Sequence, residues 1–80
     1  MITVHVRYFA ILREQRGAAQ EDLETAAATP AELYEELRAR HRFSLAGERV
    51  RVALNDEFAP ASTALRAGDC VVFVPPVAGG

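Results

Sequence analysis

The hydrophobic positions near the amino terminus alternate with polar ones. Polar side chains separate Ile2, Val4, Val6 and Tyr8. This period of two predicts a β-strand with one buried face. The alternation fails after Tyr8, and residues 10–16 then predict a short helix closed by Gly17. Residues 20–25 are weakly alternating and predict a second strand, antiparallel to the first.

The middle of the chain predicts the main helix. Thr29 is suited to cap the first free amides, Pro30 fits the first helical position, and Glu32 completes a capping box. Leu33 and Leu37 then fall on one helical face. We expect this helix to run to about residue 42.

The carboxyl-terminal third predicts further strands. Val50, Val52 and Leu54 alternate with other residues, and an Asn-Asp turn then leads to a return arm at residues 57–58. Residues 70–74 are continuously apolar, which is typical of a central strand buried on both faces. The predicted fold is therefore α+β, with one sheet packed on one main helix. We expect a domain over residues 1–74 and an extended tail over residues 75–80.

Composition and charge exclude several classes of protein. The 80 residues suffice for one modest core, and eleven acids against nine bases argue against nucleic-acid binding. All nine bases are Arg, so the chain offers no lysine for internal modification. The single Cys excludes an internal disulfide framework. With no secretory signal and no membrane-length apolar run, we expect a soluble cytoplasmic protein.

The last six residues, Pro75-Pro76-Val77-Ala78-Gly79-Gly80, contain the candidate chemistry. Two prolines favour an extended, semi-rigid exit from the last strand. Six extended residues reach roughly 20 Å, and a glycine pair has the thinnest cross-section a peptide can have. This arrangement suits a carboxylate that is delivered into another protein's active site. Because a free carboxylate is a poor electrophile, a partner would have to activate it, for example as an acyl-adenylate.

Residues along nearly the whole chain resemble the small, sulfur-carrier subunit of molybdopterin synthase (MoaD type). That family lies within the ubiquitin-like MoaD/ThiS superfamily of β-grasp proteins. The matching segments are Phe9-Ala10 with Leu12-Arg13-Glu14 and Gly17, Val52-Ala53-Leu54-Asn55, Leu65, Gly68-Asp69, Val72-Phe73 and the tail. The resemblance implies a β-grasp fold with a mixed sheet of four to five strands. Relatives commonly carry Ser or Thr where this chain has Ala78, which leaves open which partner paralogue the tail fits.

The resemblance also implies a sulfur-transfer cycle. An E1-like enzyme would use ATP to adenylate Gly80, and a sulfurtransferase or cysteine desulfurase would supply sulfur to form a thiocarboxylate. The large catalytic subunit of molybdopterin synthase would then accept the tail, Gly79 and Gly80 included, in a heterotetramer. This chain would bind no cofactor or metal itself and would not be an enzyme alone. Alternatives are a carrier for a tungsten-pterin, thiamine or cysteine pathway, and a ubiquitin-like protein modifier or plain interaction domain.

Several side chains outside the tail have both a functional and a structural interpretation. In the family, positions equivalent to Phe9 and Val74 lie on an apolar docking surface, whereas core packing would explain them equally well. Leu65 is interpreted either as a core residue or as an interface residue. Arg13 is interpreted either as an interface residue or as one member of an exposed charge pair. Cys70 is interpreted as a small buried hydrophobe rather than a sulfur relay. The two histidines lack metal-ligand spacing, and we expect both to be exposed.

Overall fold

The structure is a computed structural model, and it describes residues 1–76. It contains five strands, two helices and one short 3-10 turn. In chain order they are β1 (Ile2–Tyr8), α1 (Ala10–Arg16), β2 (Gln20–Thr25), α2 (Pro30–His41), the 3-10 turn (Gly47–Arg49), β3 (Arg51–Leu54), β4 (Glu57–Ala59) and β5 (Cys70–Val74).

The strands form one mixed sheet in the order β2-β1-β5-β3-β4. β1 and β5 run parallel, while the other neighbouring pairs are antiparallel. The predicted α+β architecture, one mixed sheet on one main helix, is confirmed. Residues from the two ends of the chain meet at the sheet centre, where Tyr8 pairs with Phe73.

The hydrophobic core lies between one face of this sheet and helix α2. Its apolar side chains come from β1, α1, α2, the loop after α2, and the last strands, and they are Val4, Val6, Tyr8, Leu12, Leu33, Tyr34, Leu37, Phe43, Val50, Val52, Val71 and Phe73. Tyr34 packs edge-on against Phe73 with ring centroids 5.2 Å apart, and it stacks on Phe43 at 5.8 Å. These contacts attach α2 to the sheet.

Helix α2 has the predicted amino-terminal cap. The Thr29 hydroxyl accepts a hydrogen bond from the Glu32 amide at 3.2 Å, and Pro30 occupies the first turn. The helix ends at His41, because Arg42 adopts the left-handed conformation with φ 58°. Its last turn was therefore predicted one residue too long.

Two predictions about burial are wrong. Strand β5 is central, but only Val71 and Phe73 are fully buried, while Cys70 and the valines at 72 and 74 are half-buried on the other face. The sheet therefore has helix α2 on one face alone. His41 is not exposed: its Nε2 is buried and makes no hydrogen bond among residues 1–76.

We call the side of the sheet opposite α2 the open face. The registers of the strand pairs place on it His5, Arg7, Asp22, Arg51, Ala53, Phe58, Cys70, Val72 and Val74. These positions alternate with the buried ones, as the period of two requires. A sheet with one face free of helices can present that face to another molecule.

Candidate functional site

Strand β5 sets the direction of the carboxyl-terminal segment. It pairs with β1 on one side and with β3 on the other, up to the Arg51–Val74 pair. Pro75 follows directly and has no amide hydrogen, so the ladder ends there. Pro75 is buried and Pro76 is exposed. The predicted site residues Val77, Ala78, Gly79 and Gly80 lie outside the described residues, and their roles stay predictions.

An apolar groove lies beside this exit point. Its volume is about 590 Å³, and it is lined by Phe9, Ala10, Ile11, Leu45, Val74, Pro75 and Pro76. We call it the tail-base groove. Phe9 is 45% exposed and Ile11 is 37% exposed, so neither side chain is core. The groove therefore presents apolar surface to solvent at the point where the tail begins.

The predicted docking residues separate into two groups. Phe9 and Val74, which are 65 positions apart in sequence, meet in the tail-base groove. Leu65 packs partly buried against the core, and its amide donates to the Ala28 carbonyl at 2.9 Å. Arg13 is exposed and lines a separate hollow beside Glu14. The structure thus brings two of the four together and places the other two elsewhere.

Sequence analysis did not identify two exposed apolar residues. Ile11 lines the groove, and Phe58 on edge strand β4 is 61% exposed. The Arg51 guanidinium lies 4.2 Å from the centroid of the Phe58 ring, within the range of a cation–π contact. The available signal for Phe58 was a large aromatic residue two positions after an Asn-Asp turn, where a solvated hairpin favours polar residues.

A polar network fixes helix α1, which forms one wall of the groove. The Arg16 guanidinium donates to both carboxylate oxygens of Glu21 at 2.8 and 3.0 Å, and Tyr8 Oη donates to the same carboxylate at 2.6 Å. Hydrogen bonding from Arg16 holds the pKa of Glu21 down at about 2. Burial raises the pKa of Tyr8, and the bond to Glu21 raises it further.

A second pair of hydrogen bonds holds the opposite wall. The Gln15 side-chain amide donates to Ser44 Oγ at 3.0 Å, and the Ser44 amide donates to Gln15 Oε1 at 3.1 Å. Ser44 directly precedes Leu45, which lines the groove. Both walls are therefore tied to each other and, through the fully buried Leu12, to the core.

The described part of the chain, residues 1–76, contains no cluster of His, Cys, Asp and Glu suited to hold a metal ion. Within the same residues, neither helix is long and apolar enough to cross a lipid bilayer.

Comparison with known proteins decides the family. The sequence profile of the ThiS family matches residues 6–80. The chain belongs to the ThiS family. A curated relative, the molybdopterin synthase sulfur carrier subunit of Mycobacterium tuberculosis, is 39% identical over 83 residues and is aligned over the full length of both chains. The resemblance drawn from the sequence is confirmed.

Similarity to solved structures confirms the β-grasp fold. The crystal structure of SAMP1 from Haloferax volcanii matches with a TM-score of 0.75 and 26% identity, over 98% of this chain and 99% of that one. Subunit 1 in a complex of molybdopterin-converting factor subunits 1 and 2 from Helicobacter pylori matches with a TM-score of 0.67 and 26% identity. That match covers 99% of this chain and 100% of the other.

Proposed function

We propose that this ThiS-family protein carries sulfur as a thiocarboxylate on Gly80 for molybdopterin synthesis. In the first step the Gly80 carboxylate attacks ATP on an E1-like activating enzyme, which forms an acyl-adenylate and releases pyrophosphate. The persulfide of a sulfur donor, a sulfurtransferase or cysteine desulfurase, then displaces AMP and forms an acyl disulfide. A second thiol cleaves its S–S bond, which leaves the thiocarboxylate on Gly80 and a disulfide on the donor. The pterin precursor receives that sulfur. The chain supplies the carrier group, and its partners supply the catalysis.

The observation that carries this proposal is the tail-base groove beside the exit of β5. A strand hydrogen-bonded on both sides gives Pro75 a fixed position, and the groove places exposed apolar surface next to it. A partner that covers Phe9 and Ile11 would therefore sit where the tail begins. The 39% identity to a sulfur carrier subunit supports the same pathway.

We propose the large catalytic subunit of molybdopterin synthase as the docking partner, in a heterotetramer. The Helicobacter pylori complex of subunits 1 and 2 supports an assembly of this kind. The contact surface would combine the groove with the apolar part of the open face, Val72 and Phe58. Exposed aromatics of this type are enriched at the centres of protein interfaces. Arg13 and Leu65 lie outside the groove lining, so we assign them secondary roles.

A second candidate function is that of a protein modifier, in which Gly80 forms an amide with a lysine of another protein. The match to SAMP1 of Haloferax volcanii favours this possibility. A second matching structure from the same organism is named small archaeal modifier protein 1. The same activated carboxyl end would serve both functions. The two differ in the nucleophile that attacks the activated carboxyl group: the sulfur of a donor enzyme in one case and an amine in the other.

The intact mass of protein purified from its native host separates these functions. A carrier is expected to show sulfur in place of one oxygen, localised to Gly80 by fragmentation. A modifier is expected to appear as amide adducts of other proteins. Detection of adducts without any thiocarboxylate would overturn the carrier proposal.

A further inference from the structure

Three chemically reactive side chains lie in one row across the open face. His5 pairs with Asp22 of β2 on one side and with Cys70 of β5 on the other. Neighbouring strands lie about 5 Å apart, so the row spans two strand spacings. The side chains share a face because paired residues of a sheet project to the same side. All three line one cavity of about 430 Å³.

The histidine of this row is oriented by its carboxylate neighbour. His5 Nδ1 and Asp22 Oδ1 are 2.5 Å apart. Asp22 thus engages Nδ1, which leaves Nε2 as the nitrogen that can accept a proton. In nucleophilic catalysis a third group orients a base, and the base takes the proton of the nucleophile. Asp22, His5 and Cys70 lie across the sheet in that order. Sequence reasoning missed this set because the three residues are 17 and 65 positions apart.

We propose that Cys70 is a reactive thiol that exchanges with low-molecular-weight disulfides, with His5 as its base and Asp22 as a positioning residue. The His5 imidazole accepts the thiol proton, and the Cys70 sulfur attacks one sulfur of the disulfide. The disulfide bond breaks, and the leaving thiolate takes the proton back from the imidazolium. One disulfide and one thiol are consumed, and one mixed disulfide and one small thiol are formed.

Access to the thiol fits this reaction. Cys70 is partly exposed, so a small disulfide can reach its sulfur from the cavity. The charged residues that line the cavity are Arg7 from β1 and Glu21 and Asp22 from β2, and Asp69 directly precedes β5. The Glu21 carboxylate is bonded to Arg16 and Tyr8 and belongs to the opposite face of the sheet. Asp69 accepts hydrogen bonds from the Asn55 side chain and the Arg66 amide, which direct its carboxylate to those groups. Arg7 lines the same cavity, and its guanidinium lies 5.9 Å from the centroid of the Phe9 ring.

A mixed disulfide at this position has a consequence that rests on the proposed function. Cys70 lies on the open face two residues before Val72. An adduct there would project into the surface that we assign to the large subunit. Docking would therefore weaken under oxidising conditions and return on reduction.

The exchange itself is tested without any partner. The reduced protein is mixed with oxidised glutathione near pH 7, and the mixed disulfide is followed by intact mass. A free thiol of ordinary pKa is only about 3% thiolate at this pH, so activation has a ceiling of roughly 30-fold. We expect His5→Gln to slow the reaction about tenfold, and we expect the difference to vanish near pH 9.5, where thiols ionise without a base.

His41→Gln is the matched control, because it removes the other histidine, and it should leave the rate unchanged. Asp22→Asn should slow the reaction less than His5→Gln, and circular dichroism checks that each variant is folded. The proposal is overturned if His5→Gln and wild type react equally near pH 7. It is also overturned if the folded chain reacts no faster than the urea-unfolded chain. A second arm titrates the thiolated protein with the large subunit: normal docking there refutes only the regulatory consequence.

Discussion

Replacing Phe9 with Asp separates docking from folding. Phe9 is 45% exposed, whereas full burial of a Phe contributes about 1.5–3 kcal/mol. Its removal should therefore cost only about 1 kcal/mol of unfolding free energy. Phe9 is also the N-cap of α1 and makes no side-chain cap hydrogen bond. Asp is a favourable N-cap residue worth about 1 kcal/mol, so the net change in stability should be close to zero.

Binding should respond much more strongly than stability. A buried aromatic at the centre of an interface contributes about 2 kcal/mol or more, and a charge in its place adds a desolvation cost. We expect Phe9→Asp to weaken the complex with the large subunit at least about 30-fold. Isothermal titration calorimetry measures the dissociation constant, and urea unfolding measures the stability.

Phe73→Ala is the control for the core. Phe73 is fully buried, so its truncation should cost about 3–5 kcal/mol. If Phe9→Asp destabilises the fold as much as Phe73→Ala, Phe9 belongs to the core. If Phe9→Asp leaves binding unchanged, the tail-base groove is not the docking surface.

Two further predictions concern stability. The pKa of Glu21 is depressed from 4.5 to about 2, so its stabilisation is complete above pH 4.5 and is lost as the pH falls towards 2. Glu21→Gln should flatten that acid dependence, which is at most about 3 kcal/mol because solvent screens a partly exposed ion pair. Urea unfolding at several pH values measures it, and an unchanged slope would assign acid unfolding to other carboxyls. Thr29→Ala removes the hydrogen-bond acceptor of the Glu32 amide and should lower the free energy of unfolding by about 1 kcal/mol. Thr63→Ala, in the loop before Leu65, is the control. Equal losses of stability in both variants would contradict the role of Thr29 as the helix cap.

Local sequence signals predicted most of the fold. The bounds of β1, α1, β2 and β5 follow from alternation, from Gly17 and from Pro75, which act within a few residues. The end of α2 was displaced by one residue, because Arg42 takes the left-handed conformation that Gly usually supplies. Burial of β5 was overestimated, since an apolar run has the same appearance whether one or both faces are covered.

The surface sites depend on which residues pair across neighbouring strands, and this register cannot be predicted from the local sequence pattern. Cys70 appeared to have no base nearby until the parallel pairing with β1 placed His5 beside it. In the same way, the groove required Phe9 and Val74 to meet across the ends of two strands. His41 was predicted to be exposed, but its Nε2 is buried and its ring centroid lies 5.7 Å from that of Phe43.

Reconstituted sulfuration tests the carrier function most directly. The full chain and a variant lacking Gly80 are each incubated with the activating enzyme, ATP and a sulfur donor, and intact mass is measured. We predict one oxygen replaced by sulfur on Gly80 of the full chain, no such change in the shortened chain, and nearly equal thermal midpoints for the two. Sulfur gained equally by both chains, or bound to Cys70 instead of Gly80, would contradict the carrier function.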